Sequence, residues 1–200
     1  MAYGVYGATA PGVLADVWGR SVVRDVVLTA GAAVMVGVAA QIVIPVPGSP
    51  VPITGQTFAV LLAGATLGAT RGAAGMLLYA VAGVLGVPWF AGAEAGWPAA
   101  TGGYLVAFVL AAALTGQLAA LGADRRPWHT IGLMTAGSAL IYLIGVPWLA
   151  FATGMDLPTA VMKGLTPYLI GDVLKTALAA ALLPGAWMLV SRRGGEAERR

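Results

Sequence analysis

The stretch Gly68-Ala69-Thr70-Arg71-Gly72 decides the fold. It interrupts an apolar run from Ile53 to Pro88 that is too long for one upright membrane crossing and a little short for two. A crossing of ~30 Å of hydrocarbon takes about 20 helical residues. A single helix through this run would bury Arg71 and carry the Arg125-Arg126 loop to the opposite side of the bilayer. A turn at Gly68 to Gly72 instead places Arg20, Arg24, Arg71, Arg125, Arg126, Arg192, Arg193, Arg199 and Arg200 on one side. Only Lys163 then lies on the other, with Lys175 inside the membrane. Because basic residues collect on the cytoplasmic side, the turn predicts six transmembrane helices with both termini cytoplasmic.

Working outward, the composition agrees. Of 200 residues, 59% are hydrophobic and only 10% charged, against about 25% charge in a soluble domain; the mean hydropathy is +0.86. No charge falls between Val26 and Thr70, between Ala95 and Ala123, or between Pro127 and Met155. Spans are predicted at about 25–44, 55–70, 72–88, 102–121, 130–152 and 165–190, joined by segments rich in Pro, Gly or charge. The domain reading is a cytoplasmic or interfacial segment at 1–24, an all-α six-helix membrane domain at 25–190 and a cytoplasmic tail at 191–200. Val13, Leu14, Val17, Trp18 and Val22 can form an interfacial helix, or belong to a disordered leader. Residues 1–20 lack the basic start and apolar run of a cleavable signal. The isoelectric point near 9.5 is explained by topology, so the expected partner is the lipid bilayer and not nucleic acid.

Chemistry narrows next. Within Pro167-Tyr168-Leu169-Ile170-Gly171-Asp172-Val173-Leu174-Lys175-Thr176, an acid and a base lie three residues apart in an apolar helix. Each such ion costs roughly 2.5–3.5 kcal/mol in a bilayer, so the pair is a candidate binding site. On a helix starting near Thr166, Asp172 lies about 9 Å and Lys175 about 13 Å below the outer end, on one face with Tyr168 and Ala179. A pair that only joins helices is the competing reading, weakened because buried ion pairs are seldom more stabilising than apolar replacements. Lys175-Thr176 follows Leu174 in mid-helix and does not form a nucleotide-binding loop. His129 and Ser138 have no partner residues for catalysis nearby in sequence, and there is no cysteine. No catalytic residue, metal site or cofactor is expected, and the chain reads as a non-enzyme.

The remaining polar residues collect at the outer face. Pro45-Val46-Pro47-Gly48-Ser49-Pro50-Val51-Pro52-Ile53-Thr54-Gly55-Gln56-Thr57 carries four prolines in eight residues and reads as a stiff flap, hinged at Gly48 and Gly55. Thr54, Gln56 and Thr57 are its free hydrogen-bonding side chains. A second cluster holds Trp89-Phe90-Ala91-Gly92 and then Thr101-Gly102-Gly103-Tyr104, where helix four begins with backbone N–H groups open to an acceptor. The tryptophans can equally form an interfacial belt.

Five motifs follow one another in a familiar order: Pro50 to Thr57, Leu61-Leu62-Ala63-Gly64, Val87-Pro88-Trp89-Phe90-Ala91-Gly92, Thr101-Gly102-Gly103-Tyr104, and Gly171-Asp172-Val173-Leu174-Lys175. Over roughly residues 25–190 the chain resembles the BioY family, the biotin-specific substrate-capture (S) components of energy-coupling factor (ECF) vitamin transporters. The resemblance implies a six-helix S-component fold in the cell membrane that binds biotin. It also implies coupling to a transmembrane T component and two cytoplasmic ATPase subunits. Gly55 and Ala93-Glu94-Ala95-Gly96 depart from the family pattern. Biotin suits these residues: its ureido ring needs both donors and acceptors, its sulfur ring suits Trp89 and Phe90, and its carboxylate wants a cation or exposed N–H groups. The residue types leave open which end of biotin Lys175 meets. The expected substrate-binding set is Asp172, Lys175, Tyr168, Thr54, Gln56, Thr57, Trp89, Phe90, Thr101, Gly102, Gly103 and Tyr104.

In helix one, Ala33-x-x-x-Gly37 has the small-xxx-small spacing that permits close helix approach. It resembles the family's motif for docking on the T component; packing inside the bundle is the competing reading. Two further functions compete with biotin capture. An S component for another small vitamin would differ only in pocket chemistry. An ion-coupled secondary transporter would need inverted repeats and coupling-ion sites, for which one ion pair is thin coverage.

Overall fold

A computed structural model describes residues 12–19 and 21–197, with side chains described as far as Ser191 apart from Trp18. Among the described residues, seven α-helices carry the fold: α1 Val22–Ala40, α2 Gln56–Leu67, α3 Ala69–Val84, α4 Gly102–Ala120, α5 Pro127–Thr153, α6 Leu157–Gly164 and α7 Leu169–Ala197. Two-residue strands β1, Val43–Ile44, and β2, Ile53–Thr54, pair antiparallel in the α1–α2 connection. The expected break between α2 and α3 is a single residue. Gly68 takes φ +87°, a left-handed conformation that suits glycine, and ends one helix while starting the next.

Four helical segments are long and apolar enough to cross a membrane: Val22–Ala40, Gly102–Ala120, Pro127–Thr153 and Leu157–Ser191, the last running through α6 and α7. α2 has 12 residues and α3 has 16, which gives them lengths of about 18 and 24 Å. α2 compensates by sitting inside: Val60, Leu61, Ala63 and Ala65 are buried, and it packs against α1, α3 and α4. Exposed Val26, Val27, Val34 and Val38 on α1, with Ile170, Val173, Leu174 and Leu178 on α7, turn apolar side chains outward. Lipid is the solvent that tolerates such a surface.

The α5–α7 connection departs from expectation. Instead of entering the last helix at 165, the chain forms α6, begun by Asp156 and Pro158, and a 3₁₀ turn at Thr166–Tyr168 before α7 starts at Leu169. Eight residues ending in Lys163-Gly164 are too short to give a clear helical period, so α6 was missed. His129 lies in the first turn of α5 and is exposed.

The bundle has two distinct ends. At the arginine end, a 3₁₀ turn at Leu14–Trp18 tucks beneath α2 and α7, with Val13, Leu14 and Ala15 buried. Arg71 holds it through Asp16 at 3.0 Å and also pairs with Asp25 at 3.0 Å. Where the sequence allows an interfacial helix or a disordered leader, the chain forms a 3₁₀ turn that packs Val13, Leu14 and Ala15 against protein. Residues 1–11 and Arg20 of the N-terminal segment, and residues 198–200 of the tail, lie outside the described residues. At the same end the fully buried Asp124 accepts a 2.6 Å bond from Trp187 Nε1, while the Arg125 guanidinium lies 4.6 Å from the centre of that indole. Burial pushes the Asp124 carboxyl up, opposed by the Trp187 bond.

Ala33 and Gly37 do not form an outward docking stripe. Ala33 is fully buried, and a Cβ on Gly37 would meet the Trp89 ring system 3.1 Å away. The small residues let α1 close on the segment after α3, which is the internal-packing alternative. We predict that Gly37→Leu displaces Trp89 and lowers thermal stability in detergent by about 1–3 kcal/mol or more, with weakened ligand binding by the purified protein. A normally stable Gly37→Leu protein that fails only in cellular uptake would restore the docking role.

Candidate functional site

At the other end of the bundle, two loops converge over a chamber of about 640 Å³ of empty space, part of it open to the outside. Its wall contains Thr54, Gln56, Thr57, Phe90, Thr101, Tyr104, Tyr168 and Lys175 of the expected set, together with Tyr142, which the sequence reading missed.

The α7 helix brings in the acid–base pair. Lys175 Nζ lies 3.6 Å from Asp172 Oδ1 and donates to the Thr54 carbonyl at 3.0 Å and the Thr57 hydroxyl at 2.8 Å. An ammonium group has three hydrogens; two of them tie α7 to β2 and α2, and the third has only the more distant Asp172 carboxylate as an ion-pair partner. Asp172 stands behind it and does not line the chamber. It accepts a hydrogen bond from Tyr142 on α5 and faces an apolar groove between α5 and α7. Since Tyr142 gives its proton to Asp172, its oxygen offers only lone pairs toward the chamber. A carboxylate on one helix thus makes a tyrosine on another into an acceptor.

Two other tyrosines are fixed in the same way. Tyr104 donates to the Gly164 carbonyl at 2.8 Å, and Tyr168 to the Val51 carbonyl at 2.5 Å. Glycines make room for the rings: a Cβ at Gly145 would lie 2.5 Å from Tyr104, and one at Gly83 would strike Phe90. Backbone approach that close leaves no alternative side chain, and it wedges the aromatic walls in place.

Besides Asp172, three residues of the expected set lie outside the chamber wall. Trp89 packs between α1 and α3, donating through Nε1 to the Tyr79 carbonyl at 3.0 Å. Gly102 and Gly103 begin α4, but both are buried: a Cβ on Gly102 would sit 2.6 Å from Trp97, and one on Gly103 would strike Trp148. They serve indole packing at the helix start and do not line the chamber.

The proline loop is latched by Tyr168, of the expected set, and by Ser49, which was not in it. Ser49 Oγ lies 2.9 Å from the Lys163 carbonyl and accepts from Val51 N–H at 3.1 Å, while Tyr168 holds the Val51 carbonyl. Of the expected hinges, Gly48 adopts φ +73° but Gly55 does not take a left-handed conformation. Gly55 is needed for closeness instead, since a Cβ there would be 2.9 Å from the Ala39 carbonyl oxygen. Gln41 secures the second loop, donating to the Trp89 and Phe90 carbonyls at 3.1 and 3.2 Å and accepting from Ala93 N–H at 3.1 Å.

A family model described as the BioY family matches residues 11–192. The chain belongs to the BioY family. Among its relatives, a probable biotin transporter BioY of Pyrococcus horikoshii is 37% identical over 162 residues, covering 80% of this chain and 93% of that one. The biotin transporter BioY of Rhizobium etli is 32% identical over 170 residues, covering 80% and 90%. A crystal structure of the S-component for biotin from an ECF-type ABC transporter superposes with a TM-score of 0.72 at 22% identity, covering 81% of this chain and 89% of that one. That likeness establishes a shared fold. The BioY match begins at residue 11, which brings the buried turn at Leu14–Trp18 inside the family region.

Proposed function

We propose that this BioY-family chain captures biotin at the cell membrane and delivers it as the S component of an ECF-type transporter. The observation that carries the reading is the chamber wall, which offers acceptors and donors side by side in an otherwise aromatic and apolar enclosure. Biotin's ureido N–H groups suit the Tyr142 oxygen, its carbonyl suits a donor on α2, and its fused rings suit Phe90, Tyr104 and Phe108. A six-span topology with both termini cytoplasmic puts the arginine end inside and the chamber outside, consistent with uptake. The chain contributes no ATP hydrolysis in this reading. That belongs to a pair of ATPase subunits joined through a T component, on a surface other than Ala33 and Gly37. The proposed domain is 25–190, extended by the buried turn at Leu14–Trp18.

The direct test is calorimetric titration of the purified chain with biotin. Saturable binding that is indifferent to sodium supports capture; no binding overturns it, and sodium-dependent affinity would favour an ion-coupled transporter. The latch gives a sharper expectation. Ser49→Ala combined with Tyr168→Phe frees the proline loop, so in a chase of labelled biotin the off-rate rises severalfold while the on-rate changes much less. An unaltered off-rate would reduce the loop to a connector.

A further inference from the structure

Most side-chain donors in the chamber wall are already engaged. Lys175 donates twice, to the Thr54 carbonyl and the Thr57 hydroxyl, and the hydroxyls of Tyr104, Tyr142, Tyr168 and Thr54 each donate to a protein acceptor. Among the described residues of the wall, the side-chain hydrogens left over belong to Thr57, Thr101, the third ammonium hydrogen of Lys175, which lies on the Asp172 side, and the second N–H of Gln56. Gln56 differs from the two threonines because a chain of bonds fixes which way it faces.

That chain starts at a group with no freedom. The Trp89 carbonyl can only accept, so Tyr79, 3.3 Å away, donates to it. The Tyr79 oxygen must then accept from the Gln56 side chain at 2.6 Å, which identifies that Gln56 atom as nitrogen. At the other end of the carboxamide, the Thr54 hydroxyl accepts from the Gln56 backbone N–H at 3.3 Å and donates to Gln56 Oε1 at 2.9 Å. The Tyr79 end sets the orientation, and the Thr54 hydroxyl, which can donate or accept, accommodates it. Tyr79 is fully buried, does not line the chamber, and is gripped by the Trp89 and Phe90 rings at 5.3 Å each.

We infer that Tyr79 is a positioning residue: it holds the Gln56 carboxamide so that an N–H faces the chamber, and thereby selects ligands that carry a carbonyl acceptor at that point. The inference rests on the biotin reading, in which that acceptor is the ureido oxygen. Without the Tyr79 hydroxyl, the carboxamide can turn over, because Thr54 can accept as well as donate. The change is local. Phenylalanine keeps both ring contacts and the backbone carbonyl that Trp89 Nε1 uses, and the Trp89 carbonyl retains Gln41.

The test compares three ligands on the purified chain at pH 7: biotin, desthiobiotin, which keeps the ureido group but lacks sulfur, and 2-iminobiotin, whose protonated guanidinium replaces the acceptor with donors. The wild-type chain prefers biotin over 2-iminobiotin by at least about tenfold, because a site built to donate is left unpaired by a donor. Tyr79→Phe narrows that ratio severalfold while leaving the biotin-to-desthiobiotin ratio unchanged. Gln56→Glu, which offers only acceptors, shifts preference toward 2-iminobiotin and decides the matter if Tyr79→Phe does not yield folded protein. An unchanged biotin-to-2-iminobiotin ratio in the variants, or equal weakening of all three ligands by Tyr79→Phe, overturns the inference while leaving biotin capture standing. Failure of the wild-type chain to bind any of the three overturns the biotin reading and this inference with it.

Discussion

Asp172→Asn and Lys175→Met are each expected to weaken biotin binding by roughly 30- to 150-fold in a titration of the purified protein, corresponding to ~2–3 kcal/mol. The two act by different routes. Asp172 does not line the chamber, but it takes the Tyr142 proton and so leaves the Tyr142 oxygen as an acceptor. Asparagine can offer Tyr142 an N–H in place of an oxygen, which reverses that polarity. Lys175 bridges α7 to the Thr54 carbonyl and the Thr57 hydroxyl. Methionine keeps the aliphatic stem but releases both, and it strands the Asp172 charge without its counter-ion. The double variant should lose less than the sum of the singles, because the two residues belong to one network. Unchanged affinity in both single variants would remove the acid–base pair from the binding site.

The second large effect is on folding. Gly64 lies where α2 crosses α4, and a Cβ there would collide with the Thr115 hydroxyl and the Ala112 carbonyl, with Ala112 Cα only 2.8 Å away. Thr115 cannot swing aside cheaply: it is fully buried and bonds the Ala111 carbonyl at 2.9 Å. Gly72 closes on the same point from α3, where its own Cβ would be 2.9 Å from Gly64 Cα. In lipid, helix association depends on such close packing, so Gly64→Ala is expected to cost about 3 kcal/mol and Gly64→Leu to give no folded protein in detergent. Gly31→Ala is the control. Gly31 is exposed on α1 with nothing within 4 Å of an added Cβ, so alanine should be neutral or stabilise by up to about 1 kcal/mol. Equal behaviour of Gly31→Ala and Gly64→Ala would mean that the α2–α4 crossing tolerates separation.

The sequence exposed the site through expense. A lone acid and base in an apolar helix must be there for a reason, and Asp172 and Lys175 do lie together at the chamber end. Four consecutive polar or small residues, Thr54 to Thr57, likewise announced a functional loop-to-helix junction, and three of them line the wall. The tryptophans and glycines were ambiguous because the same residue types serve binding and packing. Trp89, Gly102 and Gly103 went to packing, and Ala33 with Gly37 turned inward. Tyr142 and Tyr79 carried no local signal. Each is one ring in an apolar helix, and its importance comes from partners 30 and 23 residues away.

What the sequence by itself determined is the apolar medium and the break between the second and third helical runs. Hydropathy, charge-free intervals and the glycine at 68 act over a few turns of chain, and local chemistry is enough to set them. What only the tertiary structure decided is how those runs close. It placed α2 inside the bundle despite its 12 residues, inserted α6, latched the proline loop through Ser49 and Tyr168, and assigned donor and acceptor roles around the chamber. The physical reason is that a hydrogen bond acquires its direction from both partners. Whether a tyrosine oxygen or a glutamine nitrogen faces a ligand depends on what has already taken its other side, and that is settled between helices far apart in the chain.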